Sequence, residues 1–260
     1  MSVRRDSTSS LDGDNVLTYY NPTYLLAGDQ TLVVELGDDI SPEINGKVHE
    51  LMRSVESCDI DGIVDLVPTY RSLMIQYDPG QISVSDLQTL LSEFEFEDVG
   101  GAVERSTIVH VPTLYGGECG PDLDSVAEHA GLTSEEVVAI HAGTDYLVYM
   151  MGFTPGFPYL GGLPEQLVTP RLPTPRAKIP AGSVGIAESQ TGVYPISSPG
   201  GWRLIGRTPL RLFDAEREPP ALIAAGNYVR FVPLDGEEDY SRIGRSVESG
   251  EYAMETSLTQ

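Results

Sequence analysis

The chain has 260 residues, 40% of them hydrophobic, a length that supports two ordinary domains with cores of their own. Its 39 acidic side chains outnumber 16 basic ones and leave a formal net charge of −23, which excludes a nucleic-acid partner, since phosphate backbones demand a basic face. No stretch offers the roughly 18 consecutive apolar residues of a membrane span, and MSVRRDSTSSLDGDN lacks the apolar centre of a secretion signal, so a cytoplasmic protein free of membranes is expected.

GDQTLVVELGD (28–38) alternates as a strand should, and SPEINGKVHELMRSVES follows with Ser41 as helix cap and Pro42 in the first turn. IVDLVPTYRSLMIQYDP (63–79) reads as two strands around Pro68 and Tyr70. SVSDLQTLLSEFE then spaces Val84, Leu87, Leu90, Leu91 and Phe94 as on one helix face. This βαββα order, with a further strand near Ala102, predicts a ferredoxin-like sandwich over 16–105.

After Arg105 the texture changes. STIVHVPTLYG is a strand, and GPDLDSVAEHAG and LTSEEVVAIHAG are two short helices, the second opened by a capping box of Thr133 and Glu136. From Asp145 helical spacing disappears, and ten of the 19 prolines fall between Pro155 and Pro209. Brief apolar stretches punctuated in this way predict a closed β structure with functional loops over 106–235. Residues 236–260, GEEDYSRIGRSVESGEYAMETSLTQ, hold little apolar material and are expected to be an acidic flexible tail.

The basic residues are 14 arginines and only two lysines, Lys47 and Lys178. Lysine poverty with so many acids is the composition of a halophilic protein, because strong salt screens the repulsion. Cys58 and Cys119 belong to no CxxC or Cys/His cluster, so neither a disulfide framework nor a metal site is expected, and both read as reduced thiols.

The positive charge is nonetheless segregated. From Gly152 to Arg211, Arg171, Arg176, Lys178, Arg203, Arg207 and Arg211 face only Glu165 and Glu188, a local charge of six minus two, or +4. Guanidinium forks match carboxylate and phosphate oxygens, and lysine is a compact charge suited to phosphate. The pair Gly200–Gly201 lets main-chain N–H groups approach such an anion, so the stretch is expected to bind one. The alternative is that these arginines serve surface carboxylates and that the glycines make a turn. No GxxxxGK[ST] occurs, which excludes a Walker loop.

Other candidates each have a structural alternative. His141 ends a helix, where an imidazolium can meet the negative pole, or it takes part in catalysis. Asp122 either caps the following helix or does chemistry. His110 and His129 read as structural, Cys119 as inert, and Trp202 either stacks on a planar ligand or fills a core corner.

Taken together, GDQTLVVELGD, PTYRSLMIQYDP, the block from YGGECGPDLDSV to YLGGLP, PRLPTPRAKIPAGSVGIAESQTGVYPISSPGGWRLIGRTP and LFD resemble, in this order, the family of 5-oxoprolinase B subunits, also described as KipI-like or allophanate hydrolase subunit 1. The resemblance runs from about Asn21 to Leu234. It implies a ferredoxin-like α/β domain followed by a cyclophilin-like β-barrel. It further implies a complex with a C subunit, carrying the matching half of a carboxyltransferase-like module, and an A subunit. Together these open 5-oxoproline to glutamate with ATP as cosubstrate, and Mg²⁺ on general grounds. Carried onto this chain, the family motifs name Arg176, Lys178, Ser183, Gly200, Gly201 and Arg207 as ligand contacts, with Lys178, His141 and Asp122 as the catalytic candidates. The same resemblance leaves open an inhibitor of a sensor histidine kinase or an accessory to urea or allophanate metabolism. No biotin-carrying lysine motif is present.

Overall fold

The structure, a computed structural model, describes residues 18–94 and 106–259. The chain divides into two compact units, Met1–Ala102 and Val103–Gln260.

The first unit runs β1 (Thr18–Leu26), β2 (Thr31–Gly37), α1 (Pro42–Ser57), β3 (Ile63–Pro68), β4 (Ser72–Tyr77) and α2 (Val84–Ser92). Its antiparallel sheet has the order β1-β2-β4-β3. In β2, Leu32, Val34 and Leu36 are buried while Thr31, Val33 and Glu35 are partly exposed, the period-2 pattern of a strand with one face in a core. They meet Ile44, Val48, Leu51 and Val55 of α1 and Leu87 and Leu91 of α2, residues three or four apart on their helices. Ser41 Oγ accepts from Ile44 N at 3.1 Å and Ser83 Oγ from Asp86 N at 3.2 Å, so both helices begin on side-chain caps. This is the ferredoxin-like sandwich, with one difference. The edge beside β2 belongs to β1, a strand that apolar alternation does not announce; the strand expected near Ala102 lies outside the described residues.

In the second unit β5 (Thr107–Tyr115) precedes two helices, α3 (Leu123–Ala130) and α4 (Ser134–Ala142). Strands β6 (Asp145–Met151), β7 (Pro158–Gly161), β8 (Arg176–Ile179), β9 (Ser183–Ala187), β10 (Gln190–Val193), β11 (Ser198–Gly200), β12 (Arg203–Arg207) and β13 (Tyr228–Pro233) follow. The order β12-β9-β10-β7-β6-β13-β5 closes through β5–β12 pairs Leu114↔Arg207 and Tyr115↔Gly206. The result is a seven-strand cyclophilin-like barrel with no free edge at the seam. β8 and β11 stand apart as a two-stranded ribbon. The core joins Val111, Val148, Leu160, Ile186, Ile205 and Phe231 from the strands to Val126 and Val137 from the helices. Thr133 and Glu136 complete the expected capping box at 3.2 and 2.8 Å.

The flexible tail expected over 236–260 is corrected. Glu237–Glu248 form α5, with Ile243 buried, and Thr256–Leu258 form β14 on the outer edge of β5. The few apolar residues are well placed: Tyr240, Ile243 and Val247 recur at helical spacing, and Val247, Tyr252 and Met254 pack on the barrel core.

Candidate functional site

A cluster of aromatic side chains in the second unit surrounds a pocket of about 330 Å³. Its floor is Trp202, Tyr194 and Phe157, which meet edge to face with centroids 5.5 to 6.1 Å apart, the arrangement that ring quadrupoles favour. Tyr159 packs on Phe157 at 5.2 Å, and Phe153 on its other side at 5.5 Å. Pro175, Pro199, Gly200 and Gly201 supply the wall from the β8–β11 ribbon, and Arg171 the single charge. Burial pushes the Tyr194 phenol up to about 12, against the opposing pull of the Arg171 and Arg176 guanidiniums.

The glycine pair owes its first member to packing. A Cβ on Gly200 would stand 2.5 Å from Tyr194 Oη and 2.7 Å from Ile179 Cδ1, so only glycine lets β11 lie on the tyrosine. Gly201 is under no such crowding, and its carbonyl accepts from Leu172 N at 2.7 Å. With Arg203 Nε donating to Pro170 O at 3.2 Å, the main chain on both sides of Arg171 is tied to residues 201 and 203.

The sequence's six cations do not converge on this pocket. Arg176 donates to both Asp122 oxygens at 2.8 Å, and Arg211 pairs with Asp214 at 3.0 Å. Arg207 donates to Ala181 O at 2.9 Å and lines a separate cleft of about 480 Å³ with Tyr240 and Glu248. Lys178 is exposed, with no ion pair among the described residues. The expected single basic receptacle is therefore corrected: acids distant in sequence or on the next turn claim two of its members, and Arg207 lines a different cleft.

Asp122 occupies the first position before α3, yet its side chain makes no cap there. Its carboxylate instead accepts Arg176 and Leu204 N, the latter at 2.7 Å, while Asp122 N donates to Leu204 O at 2.9 Å. One buried carboxylate thus ties α3, β8 and β12 together beside Trp202, whose carbonyl lies 3.5 Å from Arg176 Nη1. Ser183 is buried in β9.

His141 is fully buried in the barrel core, and burial lowers its imidazole to about 3. Thr191 Oγ1 donates to Gly185 O at 3.1 Å, so its one proton is committed and it accepts from His141 Nε2 at 2.8 Å. Nδ1 is left to accept from Tyr115 Oη at 2.8 Å. This neutral Nε2–H form is neither an imidazolium at a helix end nor a group open to substrate. Cys119 fits the inert reading, since burial pushes its thiol up.

Sequence reasoning names Gly200, Gly201 and, within the cationic stretch, Arg171, and raises Trp202 as a stacking residue, but not Phe153, Phe157 or Tyr194 as lining residues. Their signal is the recurrence of aromatics beside glycine and proline in GFTPGFPYLGG and GVYPISSPGGW.

Comparison with known proteins agrees with this architecture. The family description "Carboxyltransferase domain, subdomain C and D" matches residues 22–223. The B subunit of 5-oxoprolinase from Bacillus subtilis is 43% identical over 223 residues, 82% of this chain and 92% of that protein. The protein of the same name from Escherichia coli O157:H7 is 41% identical over 210 residues, 80% and 94% respectively. The crystal structure of TTHA0988 superposes with a TM-score of 0.71 at 37% identity and covers 80% of this chain, which spans only 40% of that one. No helix among the described residues is long and apolar enough to cross a membrane. With a family description across most of its length and two relatives matched nearly end to end, this chain belongs to the family of 5-oxoprolinase B subunits.

Proposed function

We propose that this chain is the B subunit of an ATP-dependent 5-oxoprolinase that opens 5-oxo-L-proline to L-glutamate with partner subunits of the C and A types. The observation that carries the reading is the aromatic pocket with one guanidinium at its lip, on a chain of this family. An unstrained lactam is a poor electrophile, and ATP supplies its activation by phosphoryl transfer to the carbonyl oxygen. The described residues do not fit a triphosphate. Arg176 is neutralised by Asp122, Arg211 by Asp214, and Arg207 faces a cleft shared with Glu248. No phosphoryl-transfer step, and no Mg²⁺, is therefore assigned to this chain alone; Lys178 remains available to phosphates that a partner brings.

The chain's own contribution is to bind, orient and dry the lactam. Aromatic walls exclude water, which strengthens electrostatic contacts within. The Asp122–Arg176 pair holds the ribbon against the barrel and fixes the geometry of the pocket. Two relatives matched nearly end to end carry the 5-oxoprolinase name, which favours this reading over kinase docking or urea metabolism.

The test mixes this chain with its C and A partners in concentrated salt and follows ATP-dependent glutamate formation from 5-oxoproline. Activity is expected only when the chain is present. Equal activity in its absence contradicts the assignment.

A further inference from the structure

We propose that Arg171 and the aromatic box of Phe153, Phe157, Tyr194 and Trp202 recognise the carboxylate and ring of a small cyclic monocarboxylate, here the lactam substrate. This inference rests on the 5-oxoprolinase reading and assigns its substrate site to this chain.

Four observations converge. First, no carboxylate among the described residues lines the pocket, whereas two other clefts of this unit mix arginines with Asp214 and Glu216, or with Glu248. In a chain with 39 acids and 16 bases, a cationic pocket free of acids suits an anion. Second, Arg171 is exposed and has no ion pair or hydrogen bond among the described residues. Its main chain is nonetheless stapled on both sides, through Pro170 O and Leu172 N. A fixed base with a free two-pronged head can take a carboxylate at little ordering cost.

Third, Phe153 sits in the left-handed region at φ +59 and is 63% exposed. A non-glycine residue there carries backbone strain, and exposure adds the hydration of an aromatic face. Both costs are met at the pocket's lip, where the ring can close over an occupant. Thr154 Oγ1 and Ser198 Oγ, in the segments that carry Phe153 and Pro199, are buried without a hydrogen-bond partner, so both flanks keep polar groups that a shifted lip could satisfy.

Fourth, the volume of about 330 Å³ lies at the small end of ligand sites, roughly 300 to 1,000 Å³. It suits a single five-membered ring better than a nucleotide, and one guanidinium balances one carboxylate but not a triphosphate.

The experiment compares wild type, Arg171→Gln and Phe153→Ala in the reconstituted complex by steady-state kinetics. Both residues are exposed, so both variants are expected to fold. Arg171→Gln is expected to raise KM for 5-oxoproline about 10- to 100-fold, the cost of a lost charge-assisted bond, with KM for ATP unchanged. Phe153→Ala raises the same KM by a smaller factor. 5-Oxoprolinamide, which lacks the carboxylate, inhibits wild type weakly and is insensitive to Arg171→Gln. An unchanged KM for 5-oxoproline in an active Arg171→Gln complex overturns the proposal and leaves the function standing, as does a rise confined to ATP. A wild-type complex that makes no glutamate overturns the function itself.

Discussion

The two units solve the problem of a core differently. In the first, the core is a sheet of Leu32, Val34, Leu73 and Ile75 under aliphatic helix faces, and the buried polar side chains among its described residues, Ser41, Asn45 and His49, lie on α1 or at its cap. In the second, His141, Thr191, Thr113, Ser183 and Asp122 are buried among the barrel's hydrophobic residues, and the hydrogen bonds of His141 and Asp122 span elements far apart in sequence. Apolar packing carries most of a sandwich. Buried polar links, each worth little net but costly to orphan, fix the relative positions of helices, strands and ribbon around a pocket.

That contrast can be broken from either side. The largest expected effect is Leu73→Ala in the first unit, where a wholly buried leucine leaves a cavity worth about 2 to 5 kcal/mol. Urea titration measures it, and the loss should be the same at every pH. Next comes Asp122→Ala, which leaves Arg176 and Leu204 N without their acceptor. A fully buried pair so broken costs roughly 3 to 5 kcal/mol; with the Arg176 side chain 30% exposed, water compensates in part, and about 2 to 3 kcal/mol is expected. Its second signature is a rise in KM for 5-oxoproline as the pocket wall loosens, which a sandwich mutation does not produce.

A third effect depends on pH. His141 falls from its ordinary 6.5 to about 3 in the folded chain because burial penalises its charged form. Between those values the unfolded chain binds a proton that the folded chain refuses. The stability due to neutral His141 is therefore complete above pH 6.5 and is lost progressively as pH falls toward 3. Protonation would place a hydrogen on Nδ1 against the Tyr115 hydroxyl and force it to turn. Denaturation at about pH 7 and about pH 4.5 should show a smaller difference in His141→Gln than in wild type; identical differences would remove His141 from the account. The smallest expected effect per residue concerns the surface. With a net charge of −23, raising KCl from about 0.1 M to about 1 M should raise the melting temperature by screening repulsion, and a flat response would refute adaptation to strong salt.

The regular elements were legible wherever one face alone is buried. β2, α1, β4 and α2 follow apolar periodicity, and the caps at Ser41 and Thr133 mark helix starts. β1 escaped because Asn21 and Pro22 interrupt TYYNPTYLL. Proline lacks the N–H of a ladder, but an edge strand with a register shift between Thr18 and Thr23 tolerates it. α5 and β14 escaped because a helix that needs only Ile243 buried looks like an acidic tail by composition.

At the site, charge counting found the right stretch of chain but not its geometry. Arg176 and Asp122 are 54 residues apart, and no local pattern announces that one neutralises the other. In sequence Gly200 suggests an opening for a ligand; in the fold its immediate neighbour is Tyr194 Oη. Arg171 looked like one arginine among several, and only the staples at residues 170 and 172 single it out.

The central claim is that the aromatic pocket of the second unit receives the lactam, and Trp202 reports on it directly. It is the chain's one tryptophan and lies in the pocket, 7% exposed. In the assembled complex, titration with 5-oxo-L-proline should change its emission saturably, at concentrations that rise about 10-fold or more in Arg171→Gln. An emission that stays flat through substrate saturation, or that responds identically in both proteins, contradicts the claim.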